Sequence, residues 1–249
     1  MSERMPVLFV GHGSPMNAVE NNDYTSGWEE IARKIHKPKA ILSISAHWYT
    51  DGTRINDADK PEMVYDMYGF PEELYKVVYD APGAPELAHL TKDLISREVK
   101  VDNTWSVLHR MYPSANIPVY QLSLDGGANA ESHYKIGQEI SLLRDKGVLI
   151  LGSGNVTHNL SRVNWGMIRG YPWAEEFDAY IKNKIISRQH KHVTNYKSAG
   201  ESSKLAFFTP EHFYPLLYVL GASSIDDEIT VFNDSCTLGS ISMTSYLFE

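Results

Sequence analysis

The sequence predicts a single α/β domain spanning residues 1–249, with a central, mainly parallel sheet flanked by helices. Three observations carry this expectation. Short runs rich in Val, Ile and Leu end in Gly, Ser or Asn, as buried strands do. Segments of helical periodicity fill the gaps between those runs, and strands alternating with helices form parallel sheets covered on both faces. No composition break longer than a loop divides the chain, and no internal repeat is visible.

Taken in order, the first strand is "PVLFV", ending at Val10, and "YTSGWEEIARKI" follows it as a capped amphipathic helix. "AILSISA", ending at Ala46, is the second strand, and "PEELYKVVY" and "APELAHLTKDLIS" read as two further helices. "IPVYQLSL" runs as a strand to Leu124, and "SHYKIGQEISLLRDKG" is a helix with Arg144 and Lys146 in its last turn and a glycine to close it. "GVLILGS" is the strand ending at Ser153. Near the C-terminus "EITVF" and "GSISMTSYLF" add two strands, the second alternating as an edge or antiparallel partner would. Residues 187–204, "SRQHKHVTNYKSAGESSK", lack an apolar pattern and read as a surface loop.

Charge and cysteine usage exclude several function classes. A net charge of -8 opposes binding to duplex nucleic acid or an anionic membrane, which both need clustered Lys and Arg. Cys236 is the only cysteine, so there is no internal disulfide and no thiolate-rich metal site, which fits a reducing compartment. The N-terminal apolar run is interrupted by Gly11 and His12 before it reaches signal-peptide length, and no segment has the apolar length of a membrane span. A cytoplasmic protein, monomeric or a small homo-oligomer, is expected.

Open α/β sheets bind ligands at the carboxyl ends of their strands, and several histidines of this chain fall at predicted strand ends. His12 follows the first strand, in "LFVGHGSPMNAV"; His47 follows the second, in "SISAHWYT"; His158 lies just past the strand through Leu151, in "LGSGNVTHNL", where Asn155 suits a helix cap. Three of ten histidines thus fall on one predicted edge. His212 lies in "FFTPEHFYPLLYVLG", where Thr209 suits an N-cap, Pro210 the first helical position and Glu211 the positive end of the helix dipole; a histidine there can project toward a sheet edge. The long, irregular spacing is no metal motif, and His12 on its own reads equally as a solvated turn residue. His36, His89, His109 and His133 lie within or beside helical patterns and read as surface or half-buried residues, and His190 and His192 as solvated ones. No G-x-G-x-x-G fingerprint and no G-x-S-x-G elbow is present. Trp48 and Phe213, each adjoining one of these histidines, are candidate pocket walls.

The segments "PVLFVGHGSPMNA", "KAILSISAHW", "YDMYGFPEELY", "YDAPGAPELA", "TWSVLHRMYPSANIPVYQLSLD", "GVLILGSGNVTHNL", "YPWAEEFDAY", "TPEHFYPLLYVLGA" and "GSISMTSYLF", in this order, resemble the class III extradiol ring-cleaving dioxygenases, specifically the 4,5-DOPA extradiol dioxygenase family. The resemblance covers nearly the whole chain. It implies a metal at the carboxyl edge of the sheet held by His12, His47 and His212, with His158 as the acid/base residue or a close fourth ligand. It further implies Fe(II) for activity, Zn(II) in purified or crystallised protein, and a catechol-type aromatic substrate, DOPA-like ones among them, opened with O2 beside its hydroxyls. A slot walled by Trp48, Tyr68 and Phe213 would take the ring. One departure stands out: where the family carries Asp-His-Gly before "TWSVL", this chain reads "VKVDNTWSVL", with Asp102, Asn103 and no histidine before His109. Two rival readings remain at this point, a zinc-dependent hydrolase on the same site and a non-enzymatic interaction protein on the same scaffold.

Overall fold

A computed structural model describes residues 4–62, 67–101 and 108–249. In chain order the strands are β1 (Val7–Gly11), β2 (Ala40–Ser45), β3 (Tyr49–Thr50), β4 (Thr53–Ile55), β5 (Val99–Val101), β6 (Val119–Gln121), β7 (Leu124–Asp125), β8 (Val148–Gly154), β9 (Ile229–Phe232), β10 (Cys236–Thr237), β11 (Ile241–Ser242) and β12 (Ser245–Phe248). The helices are α1 (Asp23–Lys34), α2 (Pro85–Leu94), α3 (Ala130–Ile140), α4 (Pro172–Ile186), α5 (His190–Thr194), α6 (Glu201–Leu205) and α7 (Tyr214–Ala222).

Six strands form the central sheet in the order β6-β2-β8-β1-β12-β9. The first four are mutually parallel, and β12 and β9 extend the sheet antiparallel, so it is mixed but mainly parallel. Alternate residues of each strand feed two separate cores. Val7, Phe9, Leu42, Ile44 and Ile150 face the layer of α3, α4 and α7, whereas Leu8, Val10, Ile41, Leu149 and Leu151 face α1 through Trp28 and Ile31. A sheet covered on both sides explains why its strands read as continuous apolar runs. Among the described residues no helix is long and apolar enough to cross a membrane.

Several expectations need correction. Residues 187–204 hold α5, a 3-10 turn at Tyr196–Ala199 and most of α6, and bury Val193, Ser202 and Ser203; each piece is too short to show a periodic face. "PEELYKVVY" forms only a 3-10 turn at Leu74–Lys76, although Leu74 and Tyr79 are buried. "IPVYQLSL" divides into β6 and β7, and "GSISMTSYLF" into β11 and β12, of which β12 is an antiparallel partner, as expected, and lies inside the sheet. The helix through residues 132–147 narrows to a 3-10 helix after Ile140, while Arg144 and Lys146 lie in its last turn and Gly147 closes it as expected, with Arg144 buried. His133 is fully buried between α3 and α7, its Nδ1 3.1 Å from the Tyr218 hydroxyl.

Candidate metal centre

Because β1, β2 and β8 run parallel, their carboxyl ends share one edge, and the pairing of Gly11 with Gly154 and of Ser45 with Ser153 sets those ends level. His12 continues the pairing one residue beyond β1, its N–H donating to the Gly154 carbonyl at 2.9 Å. Gly13 then turns the chain at a φ of +61°, which favours glycine. His47 lies just beyond β2, where the Ala46 N–H still donates to the Ser153 carbonyl at 3.0 Å.

His212 reaches this edge from the other side of the sequence. It ends a 3-10 turn, Pro210–His212, that precedes α7; Thr209 stands at the cap position without a side-chain capping bond. The Asn155 N–H donates to the His212 carbonyl at 2.8 Å, and this approach depends on Gly154, since a Cβ there would collide with that carbonyl. Asn155 therefore does not cap a helix; its side-chain amide donates to the Ser242 carbonyl at 2.7 Å. His158 is fixed by its N–H donating to the Ala206 carbonyl at 2.8 Å.

The result is a triangle of imidazoles. Ring centroids of His12 and His47 are 5.1 Å apart, those of His12 and His212 5.2 Å, and those of His47 and His212 5.5 Å. Candidate donor atoms of the three lie within 4.8 Å of one another. Three imidazoles bound at about 2.1 Å around one tetrahedral centre would place their centroids roughly 5 Å apart, so this donor set fits a divalent metal. His158 stacks on His212 at 3.5 Å with the planes 7° apart.

Electrostatics favour neutral rings. Burial first, then the neighbouring His47, His212 and His158, hold His12 well below the usual imidazole range. Burial and the adjacent His158 and His47 do the same to His212. His158 is pushed down to about 4, chiefly by burial, with Glu211 opposing the shift. Neutral imidazole is the metal-binding form, and three of them leave a bound ion its full charge. His12 Nδ1 lies 3.0 Å from Ser153 Oγ and His212 Nδ1 3.1 Å from Glu211 Oε1, which leaves Nε2 of each ring for the centre.

Of the candidate wall residues, Trp48, which follows His47 in the chain, is buried. Two expectations fail physically. Phe213 has no accessible surface, packing against Phe177, Phe207 and Tyr196 behind His212, so it backs the site rather than lining it. Tyr68 is 89% exposed, the opposite of what a slot wall needs. The departure at Asp102 and Asn103 lies outside the described residues.

Sequence reasoning missed a buried carboxylate that braces this edge. Asp178 on α4 accepts from Ser242 Oγ at 2.5 Å and Thr244 Oγ1 at 2.9 Å. That same segment reaches the histidine-bearing turns: the Ser242 N–H donates to the Thr157 carbonyl at 2.9 Å, and the Gly11 N–H donates to Ser245 Oγ at 3.0 Å. No pattern marks Asp178 in the sequence, because its partners lie more than sixty residues away.

A mainly parallel sheet with three converging histidines at its carboxyl edge defines an α/β protein with a candidate metal centre. The chain belongs to the family described as the catalytic LigB subunit of aromatic ring-opening dioxygenase, whose family model matches residues 6–249. It is 42% identical over 258 aligned positions to the 4,5-DOPA dioxygenase extradiol of Escherichia coli K12, covering 98% of this chain and 94% of that protein. The 4,5-DOPA dioxygenase extradiol of Beta vulgaris is 38% identical, with 97% and 95% covered. The crystal structure of an uncharacterized protein from Escherichia coli K12 superimposes with a TM-score of 0.86 at 38% identity, covering 99% of this chain and all of that one. The protein is thus an extradiol-type aromatic ring-opening dioxygenase, and the interaction-protein reading falls away.

Proposed function

We propose that the protein holds Fe(II) through His12, His47 and His212 and opens a catechol-type ring with O2, next to rather than between the two hydroxyls, with His158 as the acid/base residue. The observation that carries this reading is the triangle of ring centroids at 5.1, 5.2 and 5.5 Å. A bound Fe(II) would supply adjacent coordination positions and a redox partner for O2, which Zn(II), equally suited to these ligands, does not supply. The chain's own residues do the rest. His12 and His212 are kept neutral by burial, and His158 lies against His212 as a neutral ring able to take a proton from a catechol hydroxyl. The names of the Escherichia coli and Beta vulgaris relatives make a DOPA-like catechol the first substrate to test. Anaerobic loading with Fe(II), followed by air and a panel of catechols including DOPA, should give oxygen uptake and a coloured ring-opened product. Stoichiometric Fe(II) binding with no oxygen uptake on any catechol would reject the reading and favour a hydrolase.

A further inference from the structure

Metal ligation requires a lone pair on one imidazole nitrogen and therefore the proton on the other, so whatever faces the second nitrogen selects the tautomer. The ligand histidines differ in this respect. His12 Nδ1 faces the Ser153 hydroxyl, which can donate or accept and imposes no tautomer. His212 Nδ1 faces Glu211 Oε1 at 3.1 Å, and an ionised carboxylate only accepts. The other oxygen, Glu211 Oε2, is buried without a hydrogen-bond partner, so His212 Nδ1 is the ring donor to which this carboxylate is committed. We propose that Glu211 is a positioning residue of the metal centre: it accepts the Nδ1–H of His212 and so presents the Nε2 lone pair toward His12 and His47.

The inference rests on the three-histidine metal reading above. The competing role is direct ligation, since His158, Glu211 and His212 also place candidate donor atoms within 4.8 Å of one another. Ligation there would draw on the Nδ1 side of His212, whereas the hydrogen bond already commits that nitrogen and leaves Nε2 for the triangle. Carboxylates behind ligand histidines fix ring orientation and raise basicity, and their loss typically weakens metal binding by about 10- to 100-fold.

Two measurements on the whole chain test this. Nitrogen-15 NMR of the metal-free protein should show His212 as the Nδ1–H tautomer in the parent and a mixture with the Nε2–H form in Glu211→Ala. Zn(II) titration against a chelator should show affinity falling from parent to Glu211→Gln to Glu211→Ala by about 10- to 100-fold in total, with one Zn(II) per chain kept at saturation. The isosteric Glu211→Gln guards against a folding defect, which circular dichroism would reveal in Glu211→Ala. An Nε2–H tautomer in the parent, or unchanged affinity in Glu211→Ala, overturns the proposal; loss of all Zn(II) from folded Glu211→Gln makes Glu211 a ligand and overturns it too. If His12→Ala binds Zn(II) as tightly as the parent, the three-histidine reading has failed instead, a result distinct from any produced by the Glu211 variants.

Discussion

At the amino edge of the sheet Arg144 and Asp227 are buried as a fully partnered pair, whereas at the carboxyl edge four histidines turn their rings toward one another. Arg144 donates to both Asp227 oxygens at 2.7 and 2.9 Å, to the Met5 carbonyl at 2.6 Å and to the Ala222 carbonyl at 3.2 Å. It joins the start of β1, the end of α7 and the approach to β9 in one knot. The carboxyl edge has the opposite character: His12, His47 and His212 crowd their rings within 5.5 Å, and desolvation holds the two buried ones neutral. Two buried neutral imidazoles, His12 and His212, beside a third at His47 offer a divalent cation a ready donor set. Buried polar groups occur at both edges, and convergence of three imidazoles separates the carboxyl one.

The largest effect should come from the triangle. His12→Ala and His212→Ala should each lose bound metal and all oxygen uptake while keeping the parent dichroism spectrum; metal analysis after identical Fe(II) loading checks this, and a variant that keeps full metal removes its residue from the ligand set. His158→Ala should retain metal but cleave catechol about 100- to 10,000-fold more slowly, the usual contribution of a general acid or base. Complete metal loss would make His158 a fourth ligand, and an unchanged rate would make it a bystander.

The amino edge should respond in stability alone. Arg144→Met strands a buried carboxylate, and breaking such a pair costs about 3 to 5 kcal/mol; urea denaturation should report that loss, with metal content and turnover per folded chain unchanged. His133 provides a smaller and pH-dependent effect, because it is a buried histidine with a hydroxyl partner and no second histidine around it. Burial pushes its folded value down to about 4 from an ordinary 6.5. The unfolded chain therefore takes up this proton first as pH falls, so the stability contributed is complete above 6.5 and shrinks toward pH 4, by at most about 3 kcal/mol. His133→Phe should flatten that part of the pH–stability curve relative to the parent, and parallel curves would show that the ring is not desolvated.

The two edges also differ in how far they can be read without a structure. His12, His47 and His158 were visible because each follows an apolar run that had to be a buried strand, and strand ends of a parallel sheet share an edge. His212 was placed only by its helix-start setting, since the contact that delivers it depends on the absence of a Cβ at Gly154, more than fifty residues away. Arg144 is legible as a basic residue in the last turn before Gly147, but its burial is not, because its partner Asp227 carries no local signal. Asp178 and the Glu211 contact were invisible for the same reason: hydrogen bonds between distant elements leave no periodicity. Phe213 failed as a wall residue because adjacency to His212 in sequence does not tell which way its ring packs.

The most direct test of the account is turnover with isotopically labelled dioxygen. The anaerobically Fe(II)-loaded protein, given a catechol and labelled O2, is predicted to consume one O2 per ring opened and to place both labelled atoms in the product, while the Zn(II)-loaded protein gives none. A ring-opened product without label, equal turnover with Zn(II), or catechol merely oxidised to quinone would contradict the assignment of the carboxyl-edge histidines to an oxygen-inserting metal centre.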